Sequence, residues 1–410
     1  MIKMLLISSV CSRLKFEEVQ ALHNKKPVCP SQQYFHNMLS GVDLQRCEID
    51  VCAIRPIIRT DMKQKRKWIT SGMDEEEGKK FNYIPMLIFP FIGDIWLWIA
   101  IAFEAIKWVL NNKGQNLIIV CDTLIPGSSA AKFVGHLLGI KVVAAITDLT
   151  ESIYEILTPN WGNLKRKLYR VKQKMDAKSI QNYDGYIYIS DAMDKIVNPK
   201  HKPSICIEAI VDDSEWAHFK NEYRDSEIRK VVYAGKLSAQ FGIEKLIEVI
   251  RLIQRCNVSF DIYGSGPYES IILQAADRDK RIRYYGSVSH DEVIRAEVNS
   301  DLLINLRPTK YKFTKTTFPS KIAEYMASGT PVLTTKISGI PDDYWKYLFV
   351  ADDEKPENIA RQIEEILDMT RGMIQEKAQS ARQFILQEKN GKTQAEKIVN
   401  FCYKIRASKI

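Results

Sequence analysis

Several signatures are missing from these 410 residues. The 8 cysteines are scattered and form no C-x-x-C pair, so neither a structural zinc nor a disulfide framework is expected, and reduced thiols are the simplest reading. The 6 histidines make no H-E-x-x-H and no pair at ligand spacing, so no metal site is expected. No G-x-x-x-x-G-K-[ST] loop is present, which excludes a P-loop ATPase, and no G-x-S-x-G elbow marks a serine hydrolase. Gly264-Ser265-Gly266 lacks the third glycine of a dinucleotide fingerprint, because Glu269 holds its place. No cofactor is therefore expected. Uninterrupted apolar runs are short as well. The opening "MIKMLLISSVCS" reads as a first buried strand rather than a signal peptide. Ile84 to Leu110 is broken by Pro85, Pro90, Gly93 and Asp94, then by Glu104 and Lys107. It reads as a strand followed by a core helix capped by Asp94, not as a membrane span.

What the chain does have is alternation. Short apolar runs ("KMLLISS", "EIDVCAI", "NLIIVCD", "IKVVAAITD", "GYIYIS") are separated by helical patterns in the first half. "KVVYAG", "SFDIYG", "RIRYYG", "DLLINL" and "TPVLTT" repeat the scheme in the second. Such alternation predicts α/β architecture with two Rossmann-like, doubly wound parallel sheets. The expected domains are 1–205 and 206–390, with a last helix, 391–410, crossing back to the first. Residues 55–80 read as a long charged loop, and the chain after Pro356 as helical.

Charge is unevenly spread. The net charge is +9, and the first 205 residues carry 28 Lys and Arg against 20 Asp and Glu, leaving 31 against 30 for the rest. The densest cluster, Gly162 to Lys178, has seven basic residues and one acidic. Leu164, Leu168, Val171 and Met175 recur within it at helical spacing. A basic amphipathic helix of this kind can rest on an anionic membrane through Lys165, Arg166, Lys167, Arg170, Lys172 and Lys174. It equally describes a surface helix whose apolar stripe docks on its own domain. Nothing resembling a nucleic-acid-binding module accompanies the charge.

In open parallel sheets, ligands bind beyond the carboxyl ends of the strands. In the second half those ends carry Gly235-Lys236-Leu237-Ser238, Gly264-Ser265-Gly266, Ser287-Val288 and Leu306-Arg307. Small residues let backbone approach a ligand, and Lys236 and Arg307 add positive charge. In "FPSKIAEYMASGTPVLTT", Pro319 sets the entry of a helix, Ser320 caps it and Gly329 ends it. The free amides of that helix start, with Lys321, make a diphosphate site, and Glu324 one turn on could hold a ribose. The same residues also describe an ordinary capped surface helix. In the first half, Asp122 and Asp148 end strands and are the acceptor-side residues expected; as helix caps they would be unremarkable.

The combination resembles glycosyltransferase family 4, with the GT-B fold of two Rossmann-like domains facing a cleft. The resemblance lies between Val231 and Pro341, in "YAGKLSAQFGIEKL", "IYGSGPYE", "YYGSVSHDEV" and "FPSKIAEYMASGTPVLTTKISGIP". In the first half "YIYISDAMDKIV" and "CIEAIVDD" match best. It implies transfer of a sugar from a nucleotide-diphosphate donor to a hydroxyl acceptor, with retention. A lipid-linked saccharide of bacterial surface polysaccharide synthesis, at the inner face of the cell membrane, would suit the basic first half. The family's donor-side glutamate pair matches only at Glu324, because Thr316 holds the first position. Phe318, Pro319 and Ser320 match the family's phenylalanine and small residues. Lys236 matches one of the two cations that neutralise the diphosphate, Phe241 stands at the other, and Lys321 is the expected substitute. A nucleotide-sugar epimerase of the same fold and a non-catalytic nucleotide-sugar binder are the alternatives.

Overall fold

The structure is a computed structural model that describes residues 1–24, 29–149, 167, 174, 177–219 and 227–408. Two units emerge from its contacts: Met1–Ile210 together with Gly391–Ile410, and Val211–Asn390.

In the first unit, β1 (Ile2–Ser8) leads into α1 (Arg13–Ala21), α2 (Pro30–Ser40) and β2 (Cys47–Ala53). Four short strands follow: β3 (Trp68–Ile69), β4 (Gly72–Glu76), β5 (Lys79–Tyr83) and β6 (Met86–Leu87). Next come α3 (Ile92–Asn111), β7 (Leu117–Asp122), α4 (Ser129–Leu137), β8 (Lys141–Ile146) and β9 (Gly185–Tyr188), and after them α5 (Asp194–Val197) and β10 (Ser204–Cys206). One eight-stranded sheet runs β10-β9-β8-β7-β1-β2-β5-β4, parallel except for β4 against β5. Its central strands are apolar at nearly every position because both faces are covered. In β1, Leu5 and Ile7 enter one core, while Ile2, Met4 and Leu6 enter the other.

Residues 55–80 are not the long loop the sequence suggested. β4 and β5 form a hairpin whose turn, Glu77-Gly78, has φ of 52° and 75° at its two positions. That is the turn geometry a two-residue hairpin favours. The period-two signal lies in "KKFNY", whose Lys79, Phe81 and Tyr83 are buried. Nor does Asp94 cap α3: the helix starts at Ile92, so Asp94 lies inside its first turn.

The second unit contains α6 (Asp213–Ala217), β11 (Arg229–Ala234), α7 (Ile243–Leu252), β12 (Val258–Tyr263), α8 (Glu269–Arg278) and β13 (Ile282–Gly286). It continues with α9 (His290–Val298), β14 (Leu302–Asn305), α10 (Lys312–Thr316), α11 (Ser320–Ser328), β15 (Val332–Thr334) and β16 (Phe349–Val350). Helices α12 (Pro356–Asp368) and α13 (Arg371–Glu388) close it. Its six strands are all parallel, in the order β13-β12-β11-β14-β15-β16. The order reverses between β11 and β14, which defines the switch point where such sheets open a crevice.

After Asn390 the chain re-enters the first unit as α14 (Gly391–Ala407). Ile398, Phe401, Cys402 and Ile405 of α14 are buried in that unit's core. Gly41, at the end of α2, meets the start of α14 so closely that a Cβ there would lie 2.0 Å from the Gly391 carbonyl. Both atoms are backbone, so neither can swing away. Gly41→Ala is therefore expected to cost about 3 kcal/mol and to lower the melting midpoint. Gly372→Ala, with nothing within 4 Å of the added carbon, is the control that should leave thermal unfolding almost unchanged.

Candidate functional site

The crevice residues of the second unit follow from its strand order. Lys236 lies just beyond β11 and Arg307 just beyond β14, the two neighbouring strands at the switch point. Lys236 is exposed, whereas Arg307 is buried with its guanidinium 4.6 Å from the centre of the Phe241 ring. Arg307 thus stands over the position where the family resemblance looks for a second cation. Its segment is held from both sides. The Thr335 hydroxyl donates to the Arg307 carbonyl at 2.6 Å, and Gly242, at φ 83°, packs where a Cβ would come within 2.1 Å of the Leu306 carbonyl.

The helix α11 is fixed to the same place by a side chain. The Tyr325 hydroxyl accepts from the Ala234 amide at 2.8 Å and donates to the Ala234 carbonyl at 3.1 Å. Buried Tyr325 thereby fills the hydrogen-bonding edge of the last residue of β11. Tyr233 adds a bond of 2.9 Å from its hydroxyl to the Lys236 carbonyl, which sets the start of the Gly-Lys loop.

Gly264 and Gly266 have a packing reason to lack a side chain. A Cβ on Gly264 would fall 1.8 Å from the Gly235 carbonyl, and one on Gly266 would fall 2.3 Å from the Leu237 carbonyl. The two loops are laced together by Leu237 N–H donating to Ser265 O at 3.0 Å and Tyr268 N–H donating to Leu237 O at 3.1 Å. Ser287 is exposed and Val288 half-buried after β13, and Ser238 is half-buried in the Gly-Lys loop.

Two expectations for the α11 entry change. Ser320 is the first residue of the helix rather than its cap; Pro319 holds the cap position, and no side chain caps this end. The first-turn amides are therefore not taken by a capping side chain. Thr316 is buried with its hydroxyl donating to Phe313 O at 3.4 Å, and Phe318 is buried against the Tyr344 ring at 5.3 Å. Lys321 is not an uncommitted cation. Its ammonium donates to Glu297 Oε1 at 3.0 Å and also pairs with Glu324. Glu297 is fully buried, while Lys321 and Glu324 are 24% and 20% exposed.

This triad has its own electrostatics. Burial, then the Glu324 charge, push the Glu297 carboxyl above the ordinary 4.5, and Lys321 opposes them. For Lys321, burial works against the charge, but Glu297 and Glu324 overcome it and raise the ammonium's pKa. The cation thus ties down the Glu324 carboxylate, leaving it oriented on the helix one turn from the uncapped helix start. Nothing local in the sequence announces Glu297, which lies 24 residues before its partner on another helix. Tyr325 follows Glu324 directly and reads as core.

In the first unit, Asp122 ends β7 but does not reach the surface: it is completely buried. Burial raises its pKa from 3.8 to about 6, against hydrogen bonds from the Leu124 and Ser9 amides and the Ser8 and Ser9 hydroxyls. Asp148 lies two residues beyond β8, half-buried, with its carboxylate accepting from the Leu149 amide at 2.7 Å. Of the basic cluster, Lys167 and Lys174 are helical and exposed; Lys165, Arg166, Arg170 and Lys172 lie outside the described residues.

Residues 228–369 match the family described as "Glycosyl transferases group 1". Solved structures similar to the whole chain include a sucrose-phosphate synthase from Thermosynechococcus elongatus, at 15% identity and TM-score 0.64, covering 100% of each chain. A UDP-forming trehalose-phosphate synthase from Burkholderia xenovorans matches at 10% identity and TM-score 0.65, again covering 100% of each. An Anabaena protein solved with UDP and glucose matches at 13% and 0.59, covering 98% of this chain and 100% of that one. By the family match the chain is a glycosyltransferase, and by the structural likenesses its fold is GT-B. No protein of curated function matches it.

Two outcomes follow from this geometry. Lys321→Ala leaves two carboxylates facing each other, so it should destabilise the second unit by about 3 kcal/mol, with Glu297→Gln in the same chain recovering part of the loss in denaturant titrations. For Asp122, the folded state keeps a proton that the unfolded chain releases, so its contribution to stability falls as pH rises from 3.8 towards about 6. Asp122→Asn should flatten that part of the stability profile, and an unaltered profile would contradict the assignment.

Proposed function

We propose that the chain transfers a glycosyl group from a nucleoside-diphosphate sugar to an acceptor hydroxyl, within glycosyltransferase family 4. The observation that carries this is the switch-point crevice, which has exposed Lys236 and buried Arg307 on neighbouring strand ends and α11 anchored to the same strand. As the bond from the anomeric carbon to the diphosphate breaks, negative charge grows on the leaving oxygen. Lys236, Arg307 and the first-turn amides of α11 stabilise it, and Glu324, held by Lys321, accepts from the ribose hydroxyls. The acceptor oxygen forms the new bond to the anomeric carbon and passes its proton to the departing phosphate oxygen, and the nucleoside diphosphate leaves. Retention is supported by the resemblance and by a structurally similar trehalose-6-phosphate synthase, studied for enzymatic glycosyltransfer with retention. With Thr316 in place of a carboxylate, the sugar is gripped with less charge than in the family pattern.

For the acceptor, the basic first half supports a lipid-linked saccharide of bacterial surface polysaccharide synthesis. The protein would then sit peripherally at the inner membrane face, drawn there by the Lys165–Lys174 cluster, with Asp148 on the acceptor side. A second reading, a soluble sugar phosphate, is favoured by the sucrose-phosphate and trehalose-phosphate synthases among the neighbours. A panel of radiolabelled nucleotide sugars, offered with lipid extract or with hexose phosphates, tests both. Label in the organic phase is the expected result; label in a phosphorylated disaccharide selects the second reading. Rearranged donor without transfer, or no turnover of any donor, would overturn the proposal. Lys236→Ala should weaken nucleoside diphosphate binding by roughly 1.5–3 kcal/mol in calorimetry without changing the melting midpoint.

A further inference from the structure

Helix α3 is apolar on both sides. Its inner side puts Leu97, Ile101, Ala105 and Trp108 into the core of the first unit. Its outer side carries Ile92, Ile95, Ile99, Phe103, Ile106 and Leu110, each between 36% and 68% exposed. The other exposed residues of this 20-residue helix are only Lys107 and Asn111. A surface helix ordinarily turns charge outward, and a helix apolar all round is ordinarily buried. A continuous apolar face left open marks an interaction surface.

The shape of the face points to what covers it. The six side chains follow one another in steps of 3, 4, 4, 3 and 4 residues, the period of an α-helix itself, about 3.6. The stripe therefore runs straight along the helix and suits a flat partner; a coiled pairing with a second helix needs the shorter repeat of about 3.5. The face also widens onto α4, where Phe133 packs its ring 5.6 Å from that of Trp98 and Phe133 and Leu137 stay exposed.

The edge of the face is aromatic and cationic. At the start of α3, Phe91 adopts φ 59°, a strained conformation for an aromatic residue, and is 65% exposed. Phe89 beside it is exposed and lies under the Lys67 ammonium at 5.9 Å. The Trp68 ring packs, tilted by 60°, 5.3 Å from that of Trp96 in the first turns of α3, and Lys63, Lys65 and Arg66 precede it, all exposed. Aromatic rings and cations bordering an apolar stripe are the chemistry of the bilayer–water interface, and the cations select anionic headgroups. No helix among the described residues is long and apolar enough to cross a membrane, so α3 would lie in the interface plane.

We propose that the outer face of α3, with the Phe89–Phe91 corner and the Lys63–Lys67 cations, seats the first unit in the headgroup region of an anionic bilayer. The proposal does not depend on the Lys165–Lys174 cluster and requires nothing of the donor site. The full-length protein is mixed with vesicles of phosphatidylcholine alone or with phosphatidylglycerol added, and partition is read by sedimentation. Wild type should bind the anionic vesicles at low salt, and brominated lipid should quench its tryptophan fluorescence. Ile95→Gln, Ile99→Gln and Phe103→Gln combined should reduce partition by roughly tenfold or more, because these side chains expose half or more of their apolar area. Its melting midpoint and its nucleoside diphosphate affinity should stay at wild-type values, which separates this outcome from any failure of the donor site. Lys65→Glu, Arg66→Glu and Lys67→Glu combined should abolish the preference for anionic lipid. Wild type that ignores vesicles, tryptophans that brominated lipid leaves unquenched, or an apolar variant that binds like wild type would each overturn the proposal. So would a wild-type dimer that the apolar variant converts to monomer, which would give the face to a second copy of the chain.

Discussion

At the carboxyl end of β11, the hydrogen-bonding edge of Ala234 is taken by the Tyr325 hydroxyl, which both accepts and donates there. A strand end is normally finished by a neighbouring strand or by water. Here a side chain from α11 finishes it, and the helix start becomes part of the strand-end crevice. Glu324 and Lys321 precede Tyr325 on the same helix, so their position is set by the same two bonds. The hydroxyl is buried, so moving it without a replacement would leave the Ala234 amide and carbonyl unpaired in the interior. The location of α11 relative to Lys236 is therefore strongly specified.

Around that anchor the loops support one another. Gly264 and Gly266 bring two strand-end loops into backbone contact that side chains would block. Small residues after strands suggest a ligand, and in this unit they also let loop pack against loop. The consequence for function is indirect but physical: a loop held by neighbouring backbone presents Lys236 without a large ordering cost on binding. The Lys321 pair acts in the same sense for Glu324, at the expense of the free cation the sequence suggested.

Much of this was legible beforehand, for identifiable reasons. The parallel strands announce themselves as short buried runs because both faces of each sheet are covered, and the switch point then follows from topology. The hairpin of residues 72–83 was hidden because β4 is largely polar and carries Asp74, Glu75 and Glu76, so its alternation reads as charge. The Glu297–Lys321 pair was hidden because it joins two helices that only the fold brings together. Asp122 was placed correctly at a strand end, but it is buried and hydrogen-bonded by Ser8 and Ser9, from β1 and the segment after it, which local sequence does not reveal. The exposed face of α3 was concealed by its own composition: a helix apolar on every side reads as core, and only the structure shows which half is covered.

The central claim is that the strand ends β11 and β14 and the start of α11 form one nucleotide site. Hydrogen–deuterium exchange of the intact protein, with and without a nucleoside diphosphate, reads those three segments at once. The account predicts that residues 235–238, 306–308 and 319–322 gain protection together on ligand addition. Protection confined to the first unit, or absent from these three segments while the ligand is bound, would contradict it.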